Sequence, residues 1–443
     1  MPGPTPTPVE SDLTLPKHVD VVVIGGGIIG ASAAFELAER GVSVLLCEKG
    51  RIAGEQSSRN WGWVRLGTRD PREIPLMQEA LRIWQGLDAR LGRATGYVQS
   101  GIVFGASGTR DDENLTRWLD HVEGLQTGAR MVSGPELDGL LSDNSMKLRS
   151  ALYMPQDGRA EPQWAAPAIA EAARDRGAAI MTQCAVRSVD VAAGRIAGVF
   201  TERGRVRCSQ VVLAGGAWSR LFAGNAGITL PQLKVLNTVM RTSPVAAGPE
   251  VSLWSDDFAI RKRSDGGYTI ASGHENTVDI VPDSFRLGLQ FLPAFRQEWR
   301  SLRFRFSRRW MVEANEDRSW LPTDVTPFEH CRVLDPEPSQ KVLRRAWANA
   351  RKALPALDSA EIVQSWAGLI DVTPDAIPVI SKVDAVLGLH IATGFSGHGF
   401  GIGPAAGRLV ADLVTESTPC VDPTAFRLPR FTDGSKVRPD AGF

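Results

Sequence analysis

The chain has 443 residues, 43% hydrophobic and 23% charged, with Lys+Arg and Asp+Glu both at 50 and a formal net charge of zero. That length exceeds one small core and suits two joined domains, while the charge balance supplies no field for drawing in nucleic acid or an anionic membrane. Five cysteines, an odd number without C-x-x-C, argue against a disulfide framework and a structural zinc site, and no metal centre is expected.

Residues 1–17 are rich in Pro and Thr and lack the basic and apolar regions of a signal peptide, so a disordered tail is expected. No apolar run approaches the roughly 20 residues that span a bilayer, and a cytoplasmic protein is expected. HVDVVVIG then reads as a strand buried on both faces. Gly25, Gly27 and Gly30 follow as G-x-G-x-x-G. IIGASAAFELAERG reads as a helix with Ala33, Ala34, Leu37 and Ala38 on one stripe, and VSVLLCEKG as a second strand. Strand, glycine loop, helix and strand make a βαβ unit for the diphosphate of a dinucleotide. Gly25 makes the tight turn, Gly27 and Ile28 bring bare backbone close, and Gly30 lets helix and strand pack. Glu48, followed by Lys49, stands where an acid binds ribose hydroxyls, which disfavours a 2′-phosphate.

Next come Ser57, Ser58, Arg59 and Asn60, in a polar segment where a plain NAD domain would continue its sheet. They suit a diphosphate, a ribityl chain or a flavin edge. Val186 falls in a later strand, and GRVRCSQVVLAGGAWS gives a strand followed by Gly215, Gly216 and Trp218. LHIATGFSGHGFGIGPAAGRLVADLV gives a strand, the loop Gly394-Phe395-Ser396-Gly397-His398-Gly399 and a helix. Three glycine turns at strand ends, far apart in sequence, suit one long ligand threaded across one sheet, and FAD is that ligand.

With SWAGLIDVTPDAIPVI (365–380), these blocks resemble the FAD-dependent D-amino acid oxidase superfamily, most closely its glycine oxidase and sarcosine oxidase branch. The resemblance covers most of the chain except roughly residues 283–340. It implies an α/β, Rossmann-like FAD-binding domain assembled from 18–95, 148–222 and 363–425. It also implies an α+β substrate domain, from 96–147 and 223–362, whose antiparallel sheet covers the flavin; 426–443 would be a tail. The implied chemistry is oxidation of the CH–NH bond of an amino acid or amine to an imine, the hydride passing to flavin N5. Oxygen or another acceptor then takes the electrons. A flavin-binding subunit of a larger amine dehydrogenase and a flavin monooxygenase are the alternatives.

Against the family's pattern, the arginine that clamps a substrate carboxylate is replaced by Ile370, and a lysine serving the same end by Gly401. Arg65 remains as a reader, or Arg261, Lys262 or Arg263. Asp371 either faces a second amino group of the substrate or caps the turn before Thr373-Pro374. His398 is a catalytic group or a neighbour of the flavin, and His274 is a candidate base. Trp61, Trp63 and Trp366 are aromatic walls or core. No cysteine stands where relatives tether the ring, so FAD is expected to be non-covalent. The covering strand GGYTIASGH lacks the lysine that activates oxygen in relatives, which leaves a dehydrogenase open.

In 283–340, Phe291, Phe295, Trp299, Leu302, Phe306 and Trp310 recur at steps of three and four, as one helical stripe. Arg296, Arg300, Arg303, Arg305, Arg308 and Arg309 fill the rest. Either a packed helix with a solvated arginine face is expected, or a docking surface for a partner subunit, an electron acceptor, a membrane surface or a second copy.

Overall fold

The apolar run VVVI forms a strand at Val21–Ile24 (β1), buried along its whole length, in a computed structural model that describes residues 3–141, 143–299 and 301–440. Arg300 and the outermost residues of both tails lie outside these. β1 runs parallel to Val44–Cys47 (β2) on one side and to Gln210–Leu213 on the other. Ala179–Met181 extends the sheet beyond β2; Leu389–Thr393 and the antiparallel Val379–Lys382 extend it at the opposite edge. These short strands are covered on both faces, which is why they carry unbroken apolar runs. The helix Ile28–Glu39 (α1) packs against Pro162–Asp175 and Gly399–Val414, so the first and last glycine loops converge at one end of the sheet.

A ten-stranded sheet, mostly antiparallel, is built around Leu233–Thr242. That strand pairs with Ile362–Val372 over nearly its full length, and also with Tyr268–Ala271 and Asn276–Asp279. The helix Gln340–Ala353 covers it through Val342, Leu343, Ala346 and Ala350. The fold is thus an α/β, Rossmann-like FAD domain made of separated pieces plus an α+β substrate domain. Ser150–Met154 and Ile362–Val372, assigned from sequence to FAD segments, belong to the large sheet instead. A short apolar run carries no mark of which sheet it will join.

The N-terminal segment also departs from expectation. Residues 3–17 form no helix or long strand, yet they are fastened to the FAD domain: Thr7 N–H donates to Gln163 O, and Asp12 N–H to Ile180 O. The prolines rule out a continuous ladder but leave an extended strap. At the other end Phe426 is buried, and Arg430 donates to Asp375 and to Ile377 O.

Segment 283–340 is not one helix. Gly288–Glu298 is helical, Leu302–Arg305 is a strand parallel to Asn276–Asp279, and Arg309–Ala314 is helical again. LRFR alternates with period two, a strand signal that the wider three–four spacing concealed. Its arginines are not simply solvated: the wholly buried Asp279 side chain accepts from Arg305 (2.5 Å) and Arg309 (3.1 Å). Phe285, Leu289 and Phe306 point into solvent. No helix among the described residues is long and apolar enough to cross a membrane.

Candidate active site

A cavity of about 1030 Å³ opens at the carboxyl ends of β1 and β2 and is lined from both sheets. Its floor is the first glycine loop. Gly25 has φ of 106°, and a Cβ there would lie 2.4 Å from Ala214 O. A Cβ on Gly30 would lie 1.9 Å from Gly25 O, so loop and helix can close only around a bare Cα. Gly27 gives α1 no capping side chain and the first turn holds no acid, so apart from the Ile28 N–H its positive end is left to a ligand. Glu48 Oε2 accepts from Gly26 N–H and Oε1 from Gly50 N–H, both at 2.7 Å, at the end of β2. Burial pushes its carboxyl up, against Lys49 and these two amides. Ser57 Oγ accepts from Ile28 N–H at 2.8 Å. Bare backbone, a free helix end and a buried acid one strand away fit an adenine dinucleotide.

The other predicted residues divide. Gly25, Gly27, Ile28, Glu48, Lys49, Ser57, Asn60, Val186, Gly215, Gly216, Trp218 and the loop Phe395–Gly399 line the cavity. Ser58 is fully buried behind it, with Oγ on Glu55 O. Gly30 and Gly394 act from behind as well; Gly394 N–H donates to Asp371. Arg59 lines the wall, but its guanidinium is spent on Asp335 and Ala367 O. Lys49 is likewise held by Glu55 and by the carbonyls of Cys331 and Arg332.

At the other end of the cavity stand Trp61, Trp63, Arg65, Phe104 and Ile370. Trp61 and Trp63 meet edge to face at 5.1 Å. Trp366, expected as a wall, is 2% exposed and does not line the cavity. It packs on Val239 and Ala271 and donates its indole N–H to Arg59 O. Asp371 lines the cavity, and its carboxylate accepts from Gly394 N–H (2.7 Å), Gln232 and Thr393, which pins the last glycine loop. Arg261 pairs with the buried Glu161, Lys262 with Glu250 and Arg263 with Asp265, and none of the three lines the cavity. Gly401 is packed against the backbone of Trp63 to Arg65.

Arg65 is different. It donates to Gly67 O and Thr68 Oγ1, and among the described residues it has no carboxylate within ion-pair distance. Burial and the neighbouring Arg69 pull its pKa down to about 10, so it stays charged at neutral pH. His398 lines the cavity beside it, with Nδ1 2.9 Å from Glu73 Oε2. His274 lies at the rim, its Nδ1 2.6 Å from Asp256 O.

Some of the lining was missed from sequence. Lys234 and Asn237 enter from the central strand of the large sheet, and Phe291, Leu292 and Phe295 come from the Gly288–Glu298 helix. The step of four between Phe291 and Phe295 marked a helical stripe; only packing reveals that these two residues line a cavity.

The family model described as FAD dependent oxidoreductase (DAO) matches residues 20–413. The chain is 25% identical over 437 residues to 4-methylaminobutanoate oxidase (formaldehyde-forming) of Paenarthrobacter nicotinovorans, covering 94% of this chain and 46% of that one. It therefore spans less than half the length of that relative. Glycine oxidase of Geobacillus kaustophilus is 26% identical, with 93% and 97% covered. The solved structure of L-amino acid deaminase from Proteus myxofaciens, in complex with anthranilate, superposes with a TM-score of 0.93 at 33% identity, with 98% of each chain covered. With the family model covering most of its length and the glycine cradle intact, the chain belongs to the DAO family of FAD-dependent oxidoreductases.

Proposed function

We propose that this chain oxidises the CH–NH bond of an amino acid with an apolar side chain to the imine, which water then hydrolyses. FAD, held non-covalently, supplies the hydride acceptor when bound. The first glycine loop and the free end of α1 hold its diphosphate on main-chain amides, and Glu48 takes the ribose. The Phe395–Gly399 loop and the uncapped start of the last helix would hold the ring's side of the cofactor. The single observation that carries the substrate reading is Arg65: a guanidinium lining the cavity, among aromatic side chains, with no carboxylate partner among the described residues. A carboxylate is its natural partner. Trp61, Trp63, Phe104 and Ile370 supply apolar surface for the rest of the molecule, and Phe291 and Phe295 help to exclude water. Oxygen or another acceptor would reoxidise the flavin.

Anaerobic mixing of the flavin-loaded protein with L- and D-amino acids and matched carboxylate-free amines tests this. Bleaching of the flavin by an apolar amino acid is expected. Arg65→Gln should raise KM for that amino acid on the order of 10- to 100-fold, as for the loss of a charged hydrogen bond, and leave any reaction with the matched amine unchanged. Equal bleaching by amine and amino acid in the parent protein would overturn the carboxylate role.

A further inference from the structure

Six histidines are present, and among the described residues one of them, His398, lies within ion-pair reach of a carboxylate. The carboxylate is Glu73. It ends the short turn Pro71–Glu73, and its side chain is completely buried. Nothing in the glycine motifs or in the resemblance pointed to it. Arg69, 2% exposed, joins the pair from the preceding segment. One of its Nη atoms lies 3.5 Å from Glu73 Oε2, the other donates to His398 O, and its Nε donates to Arg65 O. One arginine therefore ties the acid, the backbone of the last glycine loop and the backbone of the carboxylate reader together.

The charges fix the protonation pattern. Burial would raise the Glu73 carboxyl, but His398 and Arg69 outweigh it and hold it below the usual carboxylate range. Burial and Arg69 lower His398, against the pull of Glu73. With Nδ1 2.9 Å from an ionised carboxylate oxygen, which only accepts, Nδ1 carries its proton whether the ring is neutral or charged. That leaves Nε2, with its lone pair, as the ring nitrogen available to the cavity that His398 lines. The Asp256 carbonyl fixes the same tautomer at His274, but among the described residues no carboxylate lies within ion-pair reach of that ring to steady an imidazolium.

We propose that Glu73 is a positioning residue: it locks His398 as the Nδ1–H tautomer, so that Nε2 takes the proton of a substrate ammonium held by Arg65. The N–H bond breaks and its electron pair stays on the substrate nitrogen. The proton moves to Nε2, where the imidazolium is paired with Glu73, and it leaves to water once product has gone. The amine must be neutral before its carbon gives up hydride, so this step prepares the substrate. The role of Nε2 rests on the proposed amino acid reaction; the tautomer does not.

Two measurements separate these. In flavin-loaded protein labelled with nitrogen-15 histidine, with His398→Asn used for assignment, the His398 signals should be those of a neutral ring protonated on Nδ1. An Nε2–H ring overturns the proposal whether or not any substrate is known. Glu73→Gln keeps an acceptor oxygen and removes the charge. It should lower kcat at least tenfold while KM and FAD affinity stay within threefold, and an unchanged kcat overturns it. If that variant does not fold, Glu73→Asp keeps the charge and withdraws the oxygen. The tautomer signal should then average between the two nitrogens and kcat should fall, whereas parental values for both overturn the proposal. A protein inert to every amino acid but carrying the Nδ1–H ring would sink the functional reading alone.

Discussion

The glycine loop at 25–30 and the segment 283–340 meet at one cavity, yet they are held by opposite means. The loop is fixed by the absence of atoms: Gly25 and Gly30 leave no room for a Cβ against Ala214 O and Gly25 O. The segment is fixed by paired charge: Asp279 takes Arg305 and Arg309, and Asp283 takes Arg220, Arg286 and Arg318. A constraint written in glycine can be read from the chain, because no other residue satisfies it. A constraint written in ion pairs cannot, because every arginine has many possible partners.

Each prediction presses on that difference. The largest effect is expected at the loop. Gly30→Val should give colourless protein that takes up no flavin from excess FAD, read by absorbance after gel filtration; a yellow product would mean that the backbone can make room. The second effect is acid sensitivity of the FAD sheet. His390, in the Leu389–Thr393 strand, has its pKa lowered by burial from 6.5 to about 4. Its folded pKa lies below the unfolded one, so the stability it confers is complete above pH 6.5 and is lost as pH falls toward 4. The shift corresponds to about 3 kcal/mol. Urea unfolding at pH 7 and pH 4.5 should show the loss, and His390→Gln should flatten it.

Asp279 and Asp283 run the other way. Burial opposes their ionisation, but the arginines outweigh it and hold both below the usual range. Their contribution persists down to the ordinary aspartate range and is lost only below it. Hydrogen exchange at pH 4.5 should therefore find the FAD sheet loosened while 276–314 stays protected. Third, Asp279→Ala should cost the segment about 2 kcal/mol, less than a fully buried pair because Arg305 is half exposed. Exchange in 288–314 should rise on the order of 30-fold while flavin stays bound. The smallest effect is expected at Trp366→Phe, which removes one buried hydrogen bond to Arg59 O. It should cost about 1 kcal/mol and leave kcat/KM unchanged, since the ring does not reach the cavity.

Legibility followed the same division at single residues. Gly25, Glu48 and Ser57 were assigned from local spacing, and the structure sets all three around the start of α1. Trp366 and Asp371 lie in an equally distinctive stretch but serve packing and loop anchoring, because what faces a strand is decided by elements remote in sequence. Glu73 gave no signal at all: a glutamate before a helix is unremarkable until His398, more than three hundred residues away, is laid against it.

From the sequence alone came the βαβ cradle, the three glycine turns and the dinucleotide. Each depends on residues a few positions apart, where steric exclusion or main-chain geometry permits one answer. Tertiary structure alone decided that Arg65 keeps its charge free while Arg59, Arg261 and Lys49 do not, and that 283–340 roofs the cavity. Charge pairing and burial are properties of what the folded chain brings together, and side-chain identity along the chain does not specify its partner.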